Sequence, residues 1–388
     1  MNAAPDPRHA RLAGLVGQGV AAIDTPALVV DLDAMERNLH RMADFCRARG
    51  LRLRPHAKMH KCAELAKLQM AQGAVGVCVQ KIDEALALAA QGVEDIYVSN
   101  EVVDPAKLAR LAQAVRASGN GGTRFAIAVD SALGVQRLGE ALAHAGVTHP
   151  QAIDVFVEID IGHGRCGVAP GEPALALARA VVAHRTLRFT GLQAYHGSAQ
   201  HQRPVAERRD TIARAAQAVA HTRTLIQAAG IAVPLVTGAG TGTFIHEAAS
   251  GLWGELQAGS YLFMDADYAA NTPDDGAPAF EHALFVKAQV MSRGADRAVI
   301  DAGHKSHAID SGLPRVWWPE GLSYANGGDE HGVLRDGHLP ALGETVWLVP
   351  GHCDPTVNLH DVMVGVRGGL ATGHVERLLR VDARGAVG

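Results

Sequence analysis

The chain has 388 residues, of which 48% are hydrophobic, and its formal net charge is −4. This composition supplies a large core and excludes a disordered or fibrous protein. The 36 lysines and arginines are scattered along the chain, so we expect no nucleic-acid partner.

The cysteines and the amino terminus indicate where the protein works. Five cysteines, an odd number without CxxC spacing, are typical of a reducing compartment rather than of a disulfide framework. The amino-terminal stretch lacks a signal-peptide pattern, and no window has eighteen unbroken apolar residues. We therefore expect a soluble cytoplasmic protein that has no membrane partner.

The predicted elements begin with a strand at 25–33 and then alternate. Eight apolar runs are typical of buried strands, at 51–58, 75–80, 95–100, 124–130, 153–161, 187–196, 233–238 and 254–259. Amphipathic helical patterns separate them, at 60–72, 81–91, 104–118, 131–145, 172–185, 204–229 and 243–250. This α/β alternation predicts a (β/α)8 barrel, and a doubly wound sheet is the alternative.

The sequence pattern changes after about residue 275, where short β-like runs are separated by Gly, Pro and Asp turns. These runs predict a second, mainly β domain. The barrel does not need the strand at 25–33, so we expect that strand to join the β domain. The predicted division is a barrel at 34–270 and a β domain made of 1–33 and 271–388.

A lysine ends the first predicted barrel strand. The segment RPHAKMHK places Lys58 between His56 and His60. Barrel active sites are built at the carboxyl ends of the strands, so a lysine here is well placed for chemistry. The alternative is a solvated lysine at a strand end.

Two glycine-rich loops follow the last two predicted barrel strands, with the sequences TGAGTGTF (237–244) and AGSYLF (258–263). Loops at these positions commonly bind phosphate, because glycine lets backbone N–H groups approach the anion. A phosphate site facing a lysine suggests pyridoxal phosphate, whose aldehyde binds lysine. Arg165, in DIGHGRCGV, is the candidate partner of the cofactor's ring nitrogen, and a surface ion pair is its alternative role.

A candidate metal-binding pair lies in the segment GHCDPTVNLHD (351–361). If this segment alternates with period 2, His352 and Asp354 point to one side and Cys353 points to the other. Two protein ligands leave coordination positions open for water or substrate, as a catalytic metal requires. The alternative is a loop in which both side chains hydrogen-bond nearby backbone.

Six segments together resemble one enzyme group: RPHAKMHK, LQAYHGSAQH, TGAGTGTF, ELQAGSYLFMD, DAGHKS and PGHCDPTVNL. They are similar to the D-threonine aldolase and D-serine dehydratase group of fold-type III pyridoxal phosphate enzymes. The resemblance covers about residues 24–370. It implies a TIM-type barrel of the alanine racemase kind, a mainly β carboxyl-terminal domain that includes the early strand, and a homodimer.

The resemblance also implies roles for individual residues. Lys58 is the residue that binds the cofactor's aldehyde, Arg165 meets the ring nitrogen, and Gln80 lies beside the ring hydroxyl. The implied phosphate-binding residues are Tyr195, Thr237, Gly238, Gly240, Gly259, Ser260 and Tyr261.

In this group the metal ligands separate two reactions. Related dehydratases have His-x-Cys, which suits zinc, whereas D-threonine aldolases have His-x-Asp, which suits Mn2+ or Mg2+. His352 and Asp354 therefore favour retro-aldol cleavage of D-threonine and other D-β-hydroxy-α-amino acids to glycine and an aldehyde. The alternatives are a D-serine or D-3-hydroxyaspartate dehydratase, an alanine racemase, and a non-catalytic pyridoxal phosphate carrier.

Histidines near the predicted site are candidates for the base that removes the substrate's hydroxyl proton. We expect His196, at the end of the sixth barrel strand, to be the base, with His201 as the second candidate. The sequence does not rank the other histidines near the site segments, which are His56, His60, His304 and His307.

Overall fold

Two sheets organise the part of the chain that the computed structural model describes, which is residues 11–119, 121–149 and 151–388. One sheet has eight strands, all parallel, and the other has nine strands that pair mainly antiparallel. This arrangement confirms the predicted fold class, an α/β barrel with a mainly β carboxyl-terminal domain. Among the described residues, no helix is long and apolar enough to cross a membrane.

The first strand, β1 (Ala27–Asp31), runs directly into the first long helix, α1 (Leu32–Ala48). Asp31 caps this helix, since its carboxylate accepts the Ala34 backbone N–H at 3.1 Å. Apolar residues at helical spacing give α1 one buried face, which includes Leu32, Met35, Leu39 and Met42. Helix α1 was not among the predicted elements.

All eight predicted barrel strands and the seven helices between or beside them are confirmed. The strands are β2 (Arg52–Leu53), β3 (Val77–Val79), β4 (Asp95–Val98), β5 (Arg124–Val129), β6 (Ile153–Glu158), β7 (Leu187–Ala194), β8 (Leu235–Gly238) and β9 (Glu255–Leu256). The helices are α2 (Ala63–Ala71), α3 (Ile82–Ala90), α4 (Pro105–Ser118), α5 (Ala132–His144), α6 (Glu172–Val182), α7 (Val205–Ala228) and α8 (Phe244–Ser250).

The parallel sheet closes on itself, which decides against the doubly wound alternative. Strand β2 pairs with β9, the last strand of the sheet. On its other side, the Leu53 and Pro55 carbonyls accept the backbone N–H groups of Val75 and Cys78, both at 2.9 Å. The strands are rich in buried valine and isoleucine because the sheet is covered by helices on its outer face.

The second sheet lies after the barrel in sequence. A short helix, α9 (Ala266–Ala269), precedes it, and helix α10 (Cys353–Val357) interrupts its later strands. The later strands are β10 (Leu284–Arg293), β11 (Ala298–Ile300), β12 (Arg315–Trp318), β13 (Ser323–Asn326), β14 (Gly332–Arg335), β15 (Thr345–Val349), β16 (Val362–Arg367) and β17 (His374–Arg380).

The early strand crosses over to this second sheet, as the sequence predicted. Strand β1 pairs antiparallel with β10 and parallel with β16. Its central residues, Leu28, Val29 and Val30, are buried between the layers. The chain therefore enters the β layer before it begins the barrel. The predicted domain boundaries, with the barrel at 34–270, stay a prediction.

Candidate active site

A cavity of about 210 Å³ lies at the carboxyl ends of the barrel strands. Segments after six of the strands and the end of β7 form most of its wall, as expected for a barrel active site. Eight of the predicted site residues line it: Lys58, Gln80, Arg165, Tyr195, Gly240, Gly259, Ser260 and Asp354. The cavity therefore joins the predicted cofactor site to one member of the predicted metal pair.

Lys58 and Asp354 form an ion pair across the two parts of the molecule. Lys58 lies on a 3-10 turn after β2, whereas Asp354 lies in the first turn of α10. Burial lowers the pKa of Lys58, but the Asp354 carboxylate more than compensates, so the pKa stands above its ordinary value. Burial would raise the pKa of Asp354, but Lys58 and His352 together hold it far below its usual range.

Two glycines let the loops approach the Lys58 segment and the barrel wall. A Cβ added at Gly259 would lie 2.8 Å from the backbone oxygen of His56, which leaves no room for a side chain. A Cβ added at Gly240 would lie 2.4 Å from Oε1 of Gln200, which donates through Nε2 to the Thr243 hydroxyl. A side chain at either position would collide with its neighbour, so glycine allows the close approach of both loops.

Three predicted phosphate-binding residues do not line the cavity, because their side chains or backbones are engaged elsewhere. The Thr237 hydroxyl donates to Glu255 and accepts from Gln257 inside the barrel. Gly238 packs against Ala194, whose carbonyl oxygen would lie 1.9 Å from an added Cβ. The Tyr261 hydroxyl points away and accepts the Gln69 side-chain N–H at 3.1 Å.

Arg165, Tyr195 and Gln80 line different parts of the cavity wall. The Arg165 guanidinium lies over the Tyr195 ring, 5.4 Å from its centroid. The Gln80 side-chain nitrogen lies 2.8 Å from Nε2 of His56, which also lines the cavity. Burial lowers the pKa of His56 well below its ordinary value, and Lys58 adds to this effect, so His56 is neutral.

Several cavity residues were not predicted from the sequence. The Thr241 hydroxyl accepts the Tyr261 backbone N–H at 3.0 Å, and Gln257 exchanges hydrogen bonds with Gln193 at the floor of the cavity. Thr241 sits inside the predicted glycine-rich loop, so its hydroxyl was a signal that could have been used. Tyr268 comes from helix α9, beyond the barrel, and no local pattern marks it.

The candidate metal pair is close together, but not for the predicted reason. His352 precedes helix α10 as its N-cap, and Asp354 follows inside that helix, so the segment is not an alternating strand. Nε2 of His352 lies 3.4 Å from the Asp354 carboxylate. Cys353 does point away, as expected, and its backbone N–H donates to the buried Asp265 at 3.0 Å. The prediction of an alternating strand was wrong, because the segment begins a helix. The N-terminus of this helix brings the two side chains together instead.

Neither histidine that was predicted as the base, His196 or His201, lines the cavity, so the role of each stays a prediction. Nδ1 of His196 accepts the Ala199 backbone N–H at 3.3 Å, and the His196 ring packs near His163. His201 forms a pair with Asp267, whose carboxylate lies 2.6 Å from Nδ1. The His201 ring is half exposed and lies 5.8 Å from the ring of Tyr268, which lines the cavity.

The other histidines near the site segments have structural partners. His60 is buried, and its ring contacts Gln69 at 3.2 Å; burial lowers the pKa of His60 to about 4. His304 pairs with Asp329 at 2.9 Å, and His307 contacts the Tyr324 hydroxyl at 2.9 Å. Of the four histidines that the sequence left unranked, His56 is the one that lines the cavity.

The residues of the cavity fit pyridoxal phosphate. Lys58 supplies an amine for the aldehyde, the two glycine-rich loops supply N–H and hydroxyl donors for the phosphate, and Arg165 supplies a cation. His56 also has a buried ring nitrogen, Nδ1, that has no hydrogen-bond partner among the described residues.

The His352 and Asp354 side chains fit a divalent cation held by two ligands. Ligand atoms about 2.1 Å from one ion and at right angles lie about 3 Å apart, close to the observed separation. Among the described residues, no group of three or more His, Cys, Asp or Glu side chains is arranged to hold a metal.

Comparisons with known proteins agree with this arrangement. A family model for the alanine racemase N-terminal domain matches residues 30–267, and a serine dehydratase domain model matches residues 283–366. The chain is 46% identical to a D-threonine aldolase from an Arthrobacter species over 373 residues, 95% of each chain. It is 42% identical to a 3-hydroxy-D-aspartate aldolase from Paracoccus denitrificans over 379 residues, 96% of this chain and 95% of the relative.

A solved structure supports the same conclusion at the level of the whole fold. The chain is similar to the crystal structure of D-threonine aldolase from Filomicrobium marinum, with a TM-score of 0.91 and 48% sequence identity. The match covers 95% of this chain and 98% of that one. The chain therefore belongs to the D-threonine aldolase group of pyridoxal phosphate enzymes that are built on an alanine racemase N-terminal domain.

Proposed function

We propose that this chain cleaves D-threonine and related D-β-hydroxy-α-amino acids to glycine and an aldehyde, using pyridoxal phosphate and a divalent cation. The main support for this proposal is the contact between Lys58 and Asp354. The lysine that suits the cofactor's aldehyde and the aspartate that suits the metal face each other in one cavity. A bond between Cα and a hydroxylated Cβ can be cleaved where the cofactor site and the metal site adjoin.

The chain's own residues hold the cofactor in this proposal. Lys58 would bind the aldehyde, Arg165 would partner the ring nitrogen, and Gln80 would partner the ring hydroxyl. The backbone of Gly240 and Gly259 and the hydroxyls of Thr241 and Ser260 hold the phosphate, as small donors at strand ends commonly do. When bound, pyridoxal phosphate supplies an electron sink for the Cα–Cβ bond.

His352 and Asp354 hold the cation, and we expect Mn2+ or Mg2+ because an aspartate ligand favours harder ions. When bound, the cation acts as a Lewis acid at the substrate's β-hydroxyl and makes that weak acid easier to deprotonate. An arginine keeps the cofactor's ring nitrogen unprotonated, since both groups cannot donate. This weakens the electron sink and raises the need for a Lewis acid.

We propose His201, rather than His196, as the base that takes the hydroxyl proton. The Asp267 carboxylate lies 2.6 Å from Nδ1 of His201, and a proton held on Nδ1 by this pairing would leave Nε2 to act as the base. The Asp267 backbone N–H donates to the Gly351 carbonyl, one residue before His352, so the His201–Asp267 pair is tied to the segment that carries the metal ligands. When the hydroxyl proton is removed, the O–H electron pair forms the C=O bond of the aldehyde as the Cα–Cβ bond breaks, and Cα then takes up a proton to give glycine.

We further propose that the chain works as a homodimer in a reducing cytoplasm. Trp317 and Trp318 have 43% and 58% of their surface exposed, which is unusual for tryptophan on a monomer. The five cysteines are unpaired, and four of them are buried. Unpaired thiols of this kind are typical of a reducing compartment.

Product identification separates this function from its alternatives. The chain loaded with pyridoxal phosphate and Mn2+ is incubated with D-threonine, and the products are separated by chromatography. We expect glycine and acetaldehyde in equal amounts. A dehydratase would give 2-oxobutanoate and ammonia, a racemase would give an epimer of the substrate, and a carrier would bind the cofactor without turnover; each of these results would contradict the proposal.

A further inference from the structure

The ring of His352 has a second carboxylate neighbour, on the side that faces away from Asp354. Nδ1 of His352 lies 2.7 Å from the Asp310 carboxylate, whereas Nε2 faces Asp354. The Ser311 hydroxyl lies 3.2 Å from the same Nδ1 and donates to Asp310 at 3.1 Å. Among these neighbours, Asp310 is the anionic and nearer acceptor, so it is the stronger partner of an Nδ1 proton.

The segment that carries Asp310 is fastened to helix α10. The Ala308 backbone N–H donates to the Thr356 hydroxyl at 3.1 Å, and that hydroxyl donates to the His352 carbonyl at 2.7 Å. Thr356 is fully buried. Asp310 is therefore held in place relative to His352 through the same helix that positions Asp354.

We propose that Asp310 is a positioning residue for the metal site. By accepting from Nδ1, Asp310 keeps the proton on that nitrogen and turns the lone pair of Nε2 toward the cation. A carboxylate in this position also makes the coordinating imidazole more basic and limits rotation of its ring. This inference rests on the proposed function, because it assigns Asp310 a role toward the cation that His352 and Asp354 would hold.

The test measures Mn2+ binding directly, without turnover. Free Mn2+ is followed by electron paramagnetic resonance while the ion is titrated into protein loaded with pyridoxal phosphate. Asp310→Ala is expected to weaken Mn2+ binding about 10–100-fold, the usual effect of losing such a partner. Asp310→Asn keeps an acceptor and loses the charge, so its affinity should fall between those of the wild type and Asp310→Ala.

A second Asp–His pair in the same part of the molecule provides the matched control. Asp329 lies 2.9 Å from Nε2 of His304, and Asp329→Ala removes a contact of similar length. We expect this variant to bind Mn2+ as the wild type does. The cofactor content, read from its absorbance, should be equal in all four proteins, because a general loss of folding would lower it.

The remaining outcomes separate the proposed role of Asp310 from the proposed function of the chain. Equal Mn2+ affinity in the wild type and Asp310→Ala would overturn the role of Asp310 and leave the proposed function standing. A wild type that binds no Mn2+ would overturn the proposed metal site and this inference with it. If Asp310→Ala does not fold, Asp310→Asn decides, and an unchanged affinity in that variant overturns the inference.

Discussion

At the scale of single residues, buried charges at the site are balanced by specific partners. The pKa of Lys58 is raised mainly because Asp354 faces it, and the pKa of Asp354 is held far below its usual range because both Lys58 and His352 adjoin it. Burial alone would lower the pKa of His352, but Asp354 and Asp310 raise it to about 9. A metal ion at the proposed ligand His352 would have to displace a proton, so we predict that Mn2+ binding weakens as the pH falls.

The two histidine candidates for the base give a direct comparison. His201→Ala should lower the rate of glycine formation from D-threonine by about 10²–10⁴-fold, because a positioned base contributes that much. His196→Ala should change the rate by less than about tenfold, because His196 packs against the Ala199 turn. Steady-state assays of both variants decide, and the reverse order of effects would restore His196 as the base.

The buried carboxyl group of Glu158 predicts how stability depends on pH. Burial and, after it, the nearby Glu101 carboxylate together raise the pKa of Glu158 to about 9. Between about pH 4.5 and 9 the folded chain holds a proton that the unfolded chain releases, so stability falls as the pH rises. Glu158→Gln does not titrate, and its stability relative to the wild type should increase by roughly 1–4 kcal/mol from pH 5.5 to 8.5.

This prediction is checked by urea unfolding of both proteins at the two pH values. The exposed Glu94 provides the control, because Glu94→Gln makes the same substitution without removing a buried carboxyl group. If the free energies of unfolding of Glu158→Gln and the wild type differ by the same amount at both pH values, that result would contradict the raised pKa of Glu158.

At the scale of elements, one buried carboxylate joins two short helices at the site. Asp265 accepts the Tyr268 backbone N–H at the start of α9 and the Cys353 backbone N–H at the start of α10. Each oxygen of the Asp265 carboxylate thus accepts an N–H group that has no partner within its own helix. Asp265 thus fixes a cavity wall residue, Tyr268, relative to Asp354, the proposed metal ligand.

Removing this shared cap should destabilise the chain. Asp265→Ala leaves two buried N–H groups without a partner and should lower the free energy of unfolding by about 2 kcal/mol or more. Asp265→Asn keeps one acceptor, so its loss should be about half as large. Urea unfolding measures both, and equal stability of Asp265→Ala and the wild type would show that the bridge contributes nothing.

Sequence patterns predicted the elements well where one periodicity dominates, as in the eight barrel strands. Helix α1 was missed although Asp31 is a suitable N-cap and the apolar spacing that follows is helical. Helix α10 was missed because it has five residues, too few for a period to be recognised. Tyr268 was missed for a different reason: it reaches the cavity through packing of α9 against the segment 350–351, which no local pattern encodes.

At the scale of the whole molecule, the site exists because the barrel and the β layer are packed together. The barrel contributes Lys58 and the glycine-rich loops, and the second part of the chain contributes His352 and Asp354. Strand β1 ties the start of the chain into the later sheet through its pairing with β10 and β16. The motifs predicted both halves of the site, but spacing alone did not predict the direct contact between Lys58 and Asp354.

The proposed homodimer makes a prediction for the molecule as a whole. Sedimentation of the wild type at micromolar concentration should give twice the mass of the chain. Replacing the exposed Trp317 and Trp318 with serine should weaken association, because burial of large apolar groups drives it. The control is Leu133→Ser, since Leu133 is exposed on the barrel helix α5. A wild type that sediments as a monomer would contradict the proposal.

The most direct test of the account is the release of glycine from D-threonine by three samples loaded with pyridoxal phosphate. The samples are the wild type with Mn2+, the wild type with a chelator, and Asp354→Ala with Mn2+. We predict rapid release in the first sample and a loss of at least about 100-fold in the other two. Undiminished glycine release by the chelated wild type and by Asp354→Ala would contradict the claim that the cation at His352 and Asp354 assists cleavage.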